Sequence, residues 1–207
     1  SCKSILLPFG TCWTKNENKN KKFEVSFLMT SPHDEKMNGY VTRHALWQRK
    51  NEISIPKNFF NSSRRPVEVE EGIPPIGNNE NDKEKLFDSM FSIAIENTKE
   101  ENYFSEKIID CLQSKTIPVY FGCPNIGDYF NTEGMILVEN ENDIINICNS
   151  LSPKYYENHK DIIEENYNKS IQYTVPLYKR VFDTIQDQLG LKSTPIDAWT
   201  VHFANEN

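Results

Sequence analysis

The chain has 207 residues, 37% hydrophobic and 26% charged, enough for one packed domain with extensions and too few for two full ones. Its net charge of −7 denies it the basic footprint that nucleic acid or an anionic membrane surface requires of a main partner. An anionic small ligand stays open, provided that local cations work against the global field.

The chain begins Ser1-Cys2 rather than with Met, and we expect it to have been excised from something longer. Residues 1–20 read as a linker: a short apolar run, Ile5 to Phe9, then a tract of Lys, Asn and Glu from Thr14 to Lys22. Phe23 to Met29 alternates and then turns fully apolar, as a strand entering a core does. Ser31-Pro32-His33-Asp34 and Asn38-Gly39 mark a loop, and from Tyr40 to Arg49 Val41, Ala45, Leu46 and Trp47 follow helical spacing. Ile53-Ser54-Ile55-Pro56 reads as a second short strand, and residues 57–82 as a long loop. Helical turns over Lys83–Asp88 lead into a central strand, Ser89–Ile95.

Phe104, Ile108, Cys111 and Leu112 then form one apolar helix face, followed by strands over Thr116–Gly122 and Met135–Val138 and a helix over Asp143–Leu151. From Pro153 to Leu189 the pattern is helical, broken at Pro176, and Trp199 stands in a tail from Lys192 onward. Strands alternating with helices, and no hairpin signal, predict an α/β fold: a Rossmann-like parallel sheet with flanking helices. Its boundaries are 21–152, with a helical C-terminal extension over 153–207. Five cysteines without CxxC spacing read as free thiols. No apolar run approaches a membrane span and no signal peptide is visible.

The stretch from Ile93 to Lys107 organises the rest. It reads as a buried strand, a polar loop and a first helical turn, the kind of junction beyond a strand's carboxyl end where open α/β sheets hold ligands. A helix N-terminus there suits a phosphate. Tyr103, Glu106, Lys107 and Asp110 share one side of that helix, which is either a solvated face or a ligand site. Glu106 and Asp110 are like charges at i,i+4, which disfavours the solvated reading. Arg43 follows the loop after a core strand, and a guanidinium matches phosphate oxygens bidentately. Arg64-Arg65 is either a second anion contact or a solvated pair. No GxGxxG, P-loop, HExxH, GxSxG or Asp-x-Asp occurs, and four scattered histidines read as structural.

Phe91-Ser-Ile-Ala-Ile-Glu-Asn-Thr98, Tyr103-Phe-Ser-Glu-Lys-Ile-Ile-Asp110 and Thr116-Ile-Pro-Val-Tyr-Phe-Gly122 resemble the signature of the α1,3/4-fucosyltransferases, glycosyltransferase family 10. That signature runs Phe-Glu-Asn-Ser/Thr, a short gap, Tyr-x-Thr-Glu-Lys, then x-Pro-Val-x-x-Gly. Ile95 stands where the family has phenylalanine and Ser105 where it has threonine. Val25-Ser26-Phe27 followed by Arg43 is similar to the family's upstream strand and donor-binding arginine. The likeness covers roughly Lys21 to Ile136.

The resemblance implies the donor half of a GT-B fold and an inverting transfer from GDP-fucose, or a related GDP-sugar, to a glycan hydroxyl. It requires no cofactor and no obligatory metal. By position, Arg43 and Lys107 would neutralise the diphosphate, Glu106 would bond the fucose and stabilise its cationic character, and Asn97 and Tyr103 would line the donor pocket. Family members carry an amino-terminal acceptor domain with the general base. No residue from Ser1 to Asn20, Glu17 included, has a warrant for that role, so the base is expected from a missing domain in cis or trans. The competing reading is a non-enzymatic nucleotide-sugar-binding or assembly module that keeps the pocket. Composition favours a bacterial or viral type of source and a cytoplasmic setting, with the Golgi lumen as the alternative.

Overall fold

Apolar runs of strand length alternate with amphipathic helical stretches, and such a pattern can bury both only by stacking helices on the two faces of a parallel sheet. The computed structural model describes residues 5–14, 20–31, 36–67, 73, 75–76 and 82–190. Strands β1 (Lys22–Met29), β2 (Lys57–Ser62), β3 (Pro75–Ile76), β4 (Ser89–Ile95), β5 (Ile117–Phe121) and β6 (Ile136–Leu137) form one sheet. All pairings are parallel, in the order β3-β2-β1-β4-β5-β6. The chain winds outward from β1 to β3 and then crosses to β4 on β1's other side. The carboxyl ends of β1 and β4 therefore flank the topological switch point, where such sheets leave a crevice.

The helices are α1 (Asn38–Gln48), α2 (Glu106–Gln113), α3 (Glu141–Ser150), α4 (Pro153–Asn158), α5 (Lys160–Ser170) and α6 (Leu177–Leu189). Successive strand side chains alternate between faces. Val25, Phe27, Phe91, Ile93, Ile117 and Val119 pack with Leu46 and Trp47 of α1 and Ile144 and Cys148 of α3. Phe60, Ala94 and Tyr120 pack on the other face with Ile108, Ile109 and Leu112 of α2 and with Phe104 and Tyr173. Pro176 precedes α6, as its missing N–H allows at a helix start. Cys12, Cys111, Cys123 and Cys148 are free thiols. Among the described residues no helix is long and apolar enough to cross a membrane.

Two expectations fail here. The second strand is Lys57–Ser62, not Ile53–Pro56, and it occupies the start of the expected loop, within which β3 also lies; the helical turns expected over Lys83–Asp88 form as a 3-10 helix, Asp82–Asp88. Lys57-Asn58-Phe59-Phe60-Asn61-Ser62 has too few apolar residues to read as a strand alone. Register against β1, Phe27 opposite Phe59, buries its two phenylalanines. Ile53 is buried without being in a strand, at the end of a 3-10 turn. Glu17, His33, the acidic Glu68 to Glu71 run and Trp199 lie outside the described residues.

Gly39 sits where α1 begins against the end of β4, its N–H donating to the Asn97 carbonyl at 3.1 Å. A Cβ there would overlap the Glu96 carbonyl oxygen and crowd the Asn97 backbone. Backbone cannot swing aside as a side chain can, so we expect Gly39→Ala to destabilise the fold by roughly 2–3 kcal/mol in urea unfolding.

Candidate functional site

Beyond the ends of β1 and β4 two helix starts meet, and each is tied to β4's last residues. Arg43, one turn into α1 and only 2% exposed, donates from Nε to the Ile95 carbonyl at 3.1 Å. Its Nη2 donates to the same carbonyl and to Asn97 Oδ1 at 3.0 Å. Its Nη1 is buried and has no hydrogen-bond partner in the protein. The guanidinium is thus held by the strand end, with one donor left over. Burial lowers its pKa, opposed by Tyr40, Glu96 and Glu106, but a guanidinium stays charged at neutral pH.

Ser105 caps α2: its Oγ accepts from Lys107 N–H at 3.4 Å. Glu96, fully buried at the end of β4, accepts from Ser105 N–H at 2.8 Å and Ser105 Oγ–H at 2.6 Å. Strand and helix are thereby clamped together across the polar loop. Lys107 Nζ lies 3.2 Å from Glu106 and 3.6 Å from Glu96, and donates to Ser105 Oγ at 3.1 Å. Removing the cap should cost about 1 kcal/mol. We therefore expect Ser105→Ala to lower the unfolding midpoint by a few degrees, with Ser105→Thr retaining it, as calorimetry would show.

The polar side of α2 is not a solvated face. Asp110 is fully buried and pairs with Lys83 at 2.5 Å. Its other oxygen accepts from Trp13 N–H at 2.6 Å and Thr14 N–H at 3.3 Å. Lys83, from the 3-10 turn before β4, also faces the Trp13 ring at 4.9 Å. Burial works to lower the Lys83 pKa, but Asp110 and Glu106 outweigh it and hold the ammonium charged. Burial likewise raises Glu106, yet Lys107 and Lys83 bring it below the usual carboxylate range, so it is ionised. Tyr103 is pushed up to about 12 by burial and by Glu96 and Glu106, leaving its phenol a neutral donor.

These groups border a cavity of about 260 Å³, lined by Tyr40, Arg43, Lys83, Asn97, Glu106 and Lys107 together with Thr30, Ser62 and apolar side chains of β1 and β4. Arg43, Asn97, Glu106 and Lys107 are brought together as the sequence predicts. Tyr103 stands in the charge cluster without being among the lining residues. Arg64 and Arg65 are exposed and do not line the cavity, although Thr30, which does, donates to the Arg65 carbonyl. His44 and His159 do not line the cavity, His159 stacking on Tyr155, while His33 and His202 lie outside the described residues. Lys83 and the Glu96–Ser105 clamp escaped the sequence reading. Lys83 sits in a polar tract with no pattern to mark it; Glu96 was visible as part of a motif but had no role.

No family model matches the chain. It is 35% identical over 94 residues to an alpha-(1,3)-fucosyltransferase of Helicobacter pylori, a match spanning 43% of this chain and 19% of that enzyme. Over 46 residues it is 41% identical to an alpha-(1,4)-fucosyltransferase of Arabidopsis thaliana, covering 22% of this chain and 12% of that one. A crystal structure of an alpha1,3-fucosyltransferase superposes on 86% of the chain with a TM-score of 0.54 and 22% identity. Structures of such an enzyme with GDP-fucose and with GDP superpose at TM-scores of 0.53 and 0.54. The chain spans about half the length of these solved structures, 48–50%. The fold shared with these structures is a GT-B-like parallel sheet with flanking helices. In local sequence the chain is similar to fucosyltransferases over the matched 94 residues.

Proposed function

We propose that this chain binds GDP-fucose, or a related GDP-sugar, in the cavity between β1 and β4. In this reading it is the donor-binding half of an inverting glycosyltransferase that passes the sugar to a glycan hydroxyl. The observation that carries the reading is the convergence of Arg43, Lys83 and Lys107 on one cavity at the switch point, with Arg43 Nη1 unpartnered. Three cations in one crevice of a chain with net charge −7 are what a diphosphate needs.

Arg43 and Lys107 neutralise the leaving diphosphate, and Lys83 adds to the field from the cavity wall. Charge developing on the departing oxygen is met by groups already in place, so little reorganisation is needed as the sugar bond breaks. Glu106, ionised and beside the cavity, accepts hydrogen bonds from sugar hydroxyls and stabilises the cationic character of the sugar carbon. Asn97 fixes the Arg43 fork, and Tyr103, outside the lining, keeps a neutral phenol in the charge cluster beside the cavity. Side-chain cations take the charge, and no metal is required in this scheme. The acceptor glycan and the base that deprotonates it belong to a second domain, in cis or in trans.

The test is GDP-fucose binding by calorimetry, followed by transfer with the acceptor-side domain added. Saturable binding that EDTA leaves unchanged is expected, and no binding would sink the reading. Binding without transfer under any pairing would favour a donor-binding module that is not an enzyme.

A further inference from the structure

Glu96 has a clamping role in the free chain, and its surroundings point to a second one. The titratable groups facing it are Arg43 from α1, Tyr103 from the loop after β4, Glu106 and Lys107 from α2, and Tyr120 and Cys123 from β5 and the loop beyond. Arg43 is committed to Ile95 and Asn97, which leaves Lys107 as the nearest ammonium, shared with Glu106. Around the cavity Arg43, Lys83 and Lys107 are matched by Glu96, Glu106 and Asp110, so the ligand-free charges balance. An entering diphosphate upsets that balance and draws Lys107 toward itself.

Resting on the cavity reading above, we propose that Glu96 is a positioning residue that takes up a proton from solvent when a nucleoside diphosphate sugar binds. The carboxylic acid so formed holds the start of α2 in place while Lys107 turns to the phosphates. The two contacts between Glu96 and Ser105 survive the exchange, while the Lys107 Nζ contacts to Ser105 Oγ and Glu96 are given up to the phosphates. One Glu96 oxygen goes on accepting from Ser105 N–H, and the new O–H donates to Ser105 Oγ, whose own proton rotates away. A buried carboxylate robbed of its nearest cation would otherwise stand uncompensated. Glu96 is the acid suited to this: burial already raises it, against the pull of Lys107 and Ser105, while Glu106 beside the same ammonium is held low. The proton returns to solvent when the ligand leaves.

The sign follows from linkage. A group that binds its proton more tightly in the complex makes binding tighter as pH falls, across the interval between its free and bound pKa. Calorimetry of GDP-fucose binding, repeated at one pH in buffers of different ionisation enthalpy, reads the uptake directly. The phosphates of this probe are both esterified and do not titrate near neutrality. Expected are a buffer-dependent heat corresponding to proton uptake and an affinity that rises by up to about tenfold per pH unit lowered. Glu96→Gln should bind with no uptake and a flat profile, and Glu106→Gln should retain the uptake at whatever affinity remains. Binding by the natural chain without uptake overturns the inference and leaves the cavity reading intact. So does uptake that persists in Glu96→Gln or vanishes in Glu106→Gln. Absence of GDP-fucose binding overturns both.

Discussion

Replacing Lys107 by alanine should weaken GDP binding by roughly a hundredfold to a thousandfold, equivalent to about 3–4 kcal/mol. The ammonium has two carboxylates and a hydroxyl as partners in the free chain, none of them apolar, and it remains a quarter exposed. Its removal therefore changes the cavity's field far more than the packing. Unfolding midpoints should fall as well, because buried Glu96 and Glu106 lose their shared cation, and the loss of affinity is read by calorimetry at a temperature where the variant is folded. Arg43→Ala should lose affinity to a similar degree, but its effect has a second component. The guanidinium is buried and satisfies the Ile95 carbonyl and the Asn97 side chain, so its loss also loosens the contact of α1 with β4. Arg43→Lys should restore little, because an ammonium cannot reproduce the fork that holds the strand end and leaves Nη1 over. Unchanged GDP affinity in both alanine variants would refute the assignment.

The largest loss of stability should follow Asp110→Ala, about 3–5 kcal/mol in urea unfolding. Three groups depend on this carboxylate: the Lys83 ammonium and the N–H groups of Trp13 and Thr14. Without it Lys83 would stand largely buried with its nearest counter-charge gone, and residues 12–14 would lose their anchor to α2. Asp110→Asn should be milder, since the amide oxygen still accepts from the Trp13 and Thr14 N–H groups while the ion pair is lost. Equal stability of Asp110→Ala and the natural chain would show that the pair contributes nothing. A fall in GDP affinity beyond the fall in stability would place Lys83 in the ligand's field.

The parallel sheet was legible because its central strands, Phe23–Met29, Ser89–Ile95 and Thr116–Gly122, are apolar enough to be buried on both faces. The start of α2 was legible because a polar loop separates such a strand from a strongly amphipathic helix. Motif spacing brought Asn97, Glu106 and Lys107 to one cavity with Tyr103 beside it, and Arg43, also expected there, reaches it because α1 abuts the end of β4. Lys57–Ser62 was not legible, since its burial comes from register against β1 and from nothing in its own composition.

Local pattern along the chain thus determined the fold class and the junction at which the ligand cavity forms. Period and length are properties of neighbouring residues, and a strand buried on both faces declares itself. Only the tertiary structure decided how the charges there are paired. Lys83 meets Asp110 from 27 positions away, and the Trp13 N–H reaches the same carboxylate across 97. No spacing rule connects residues that far apart. The polar side of α2 therefore left a solvated face and a ligand site both open, whereas folding brings other segments onto it. Glu96 was likewise one letter of a motif until β4 and α2 closed around it, and burial is what turned it into the group that holds them together.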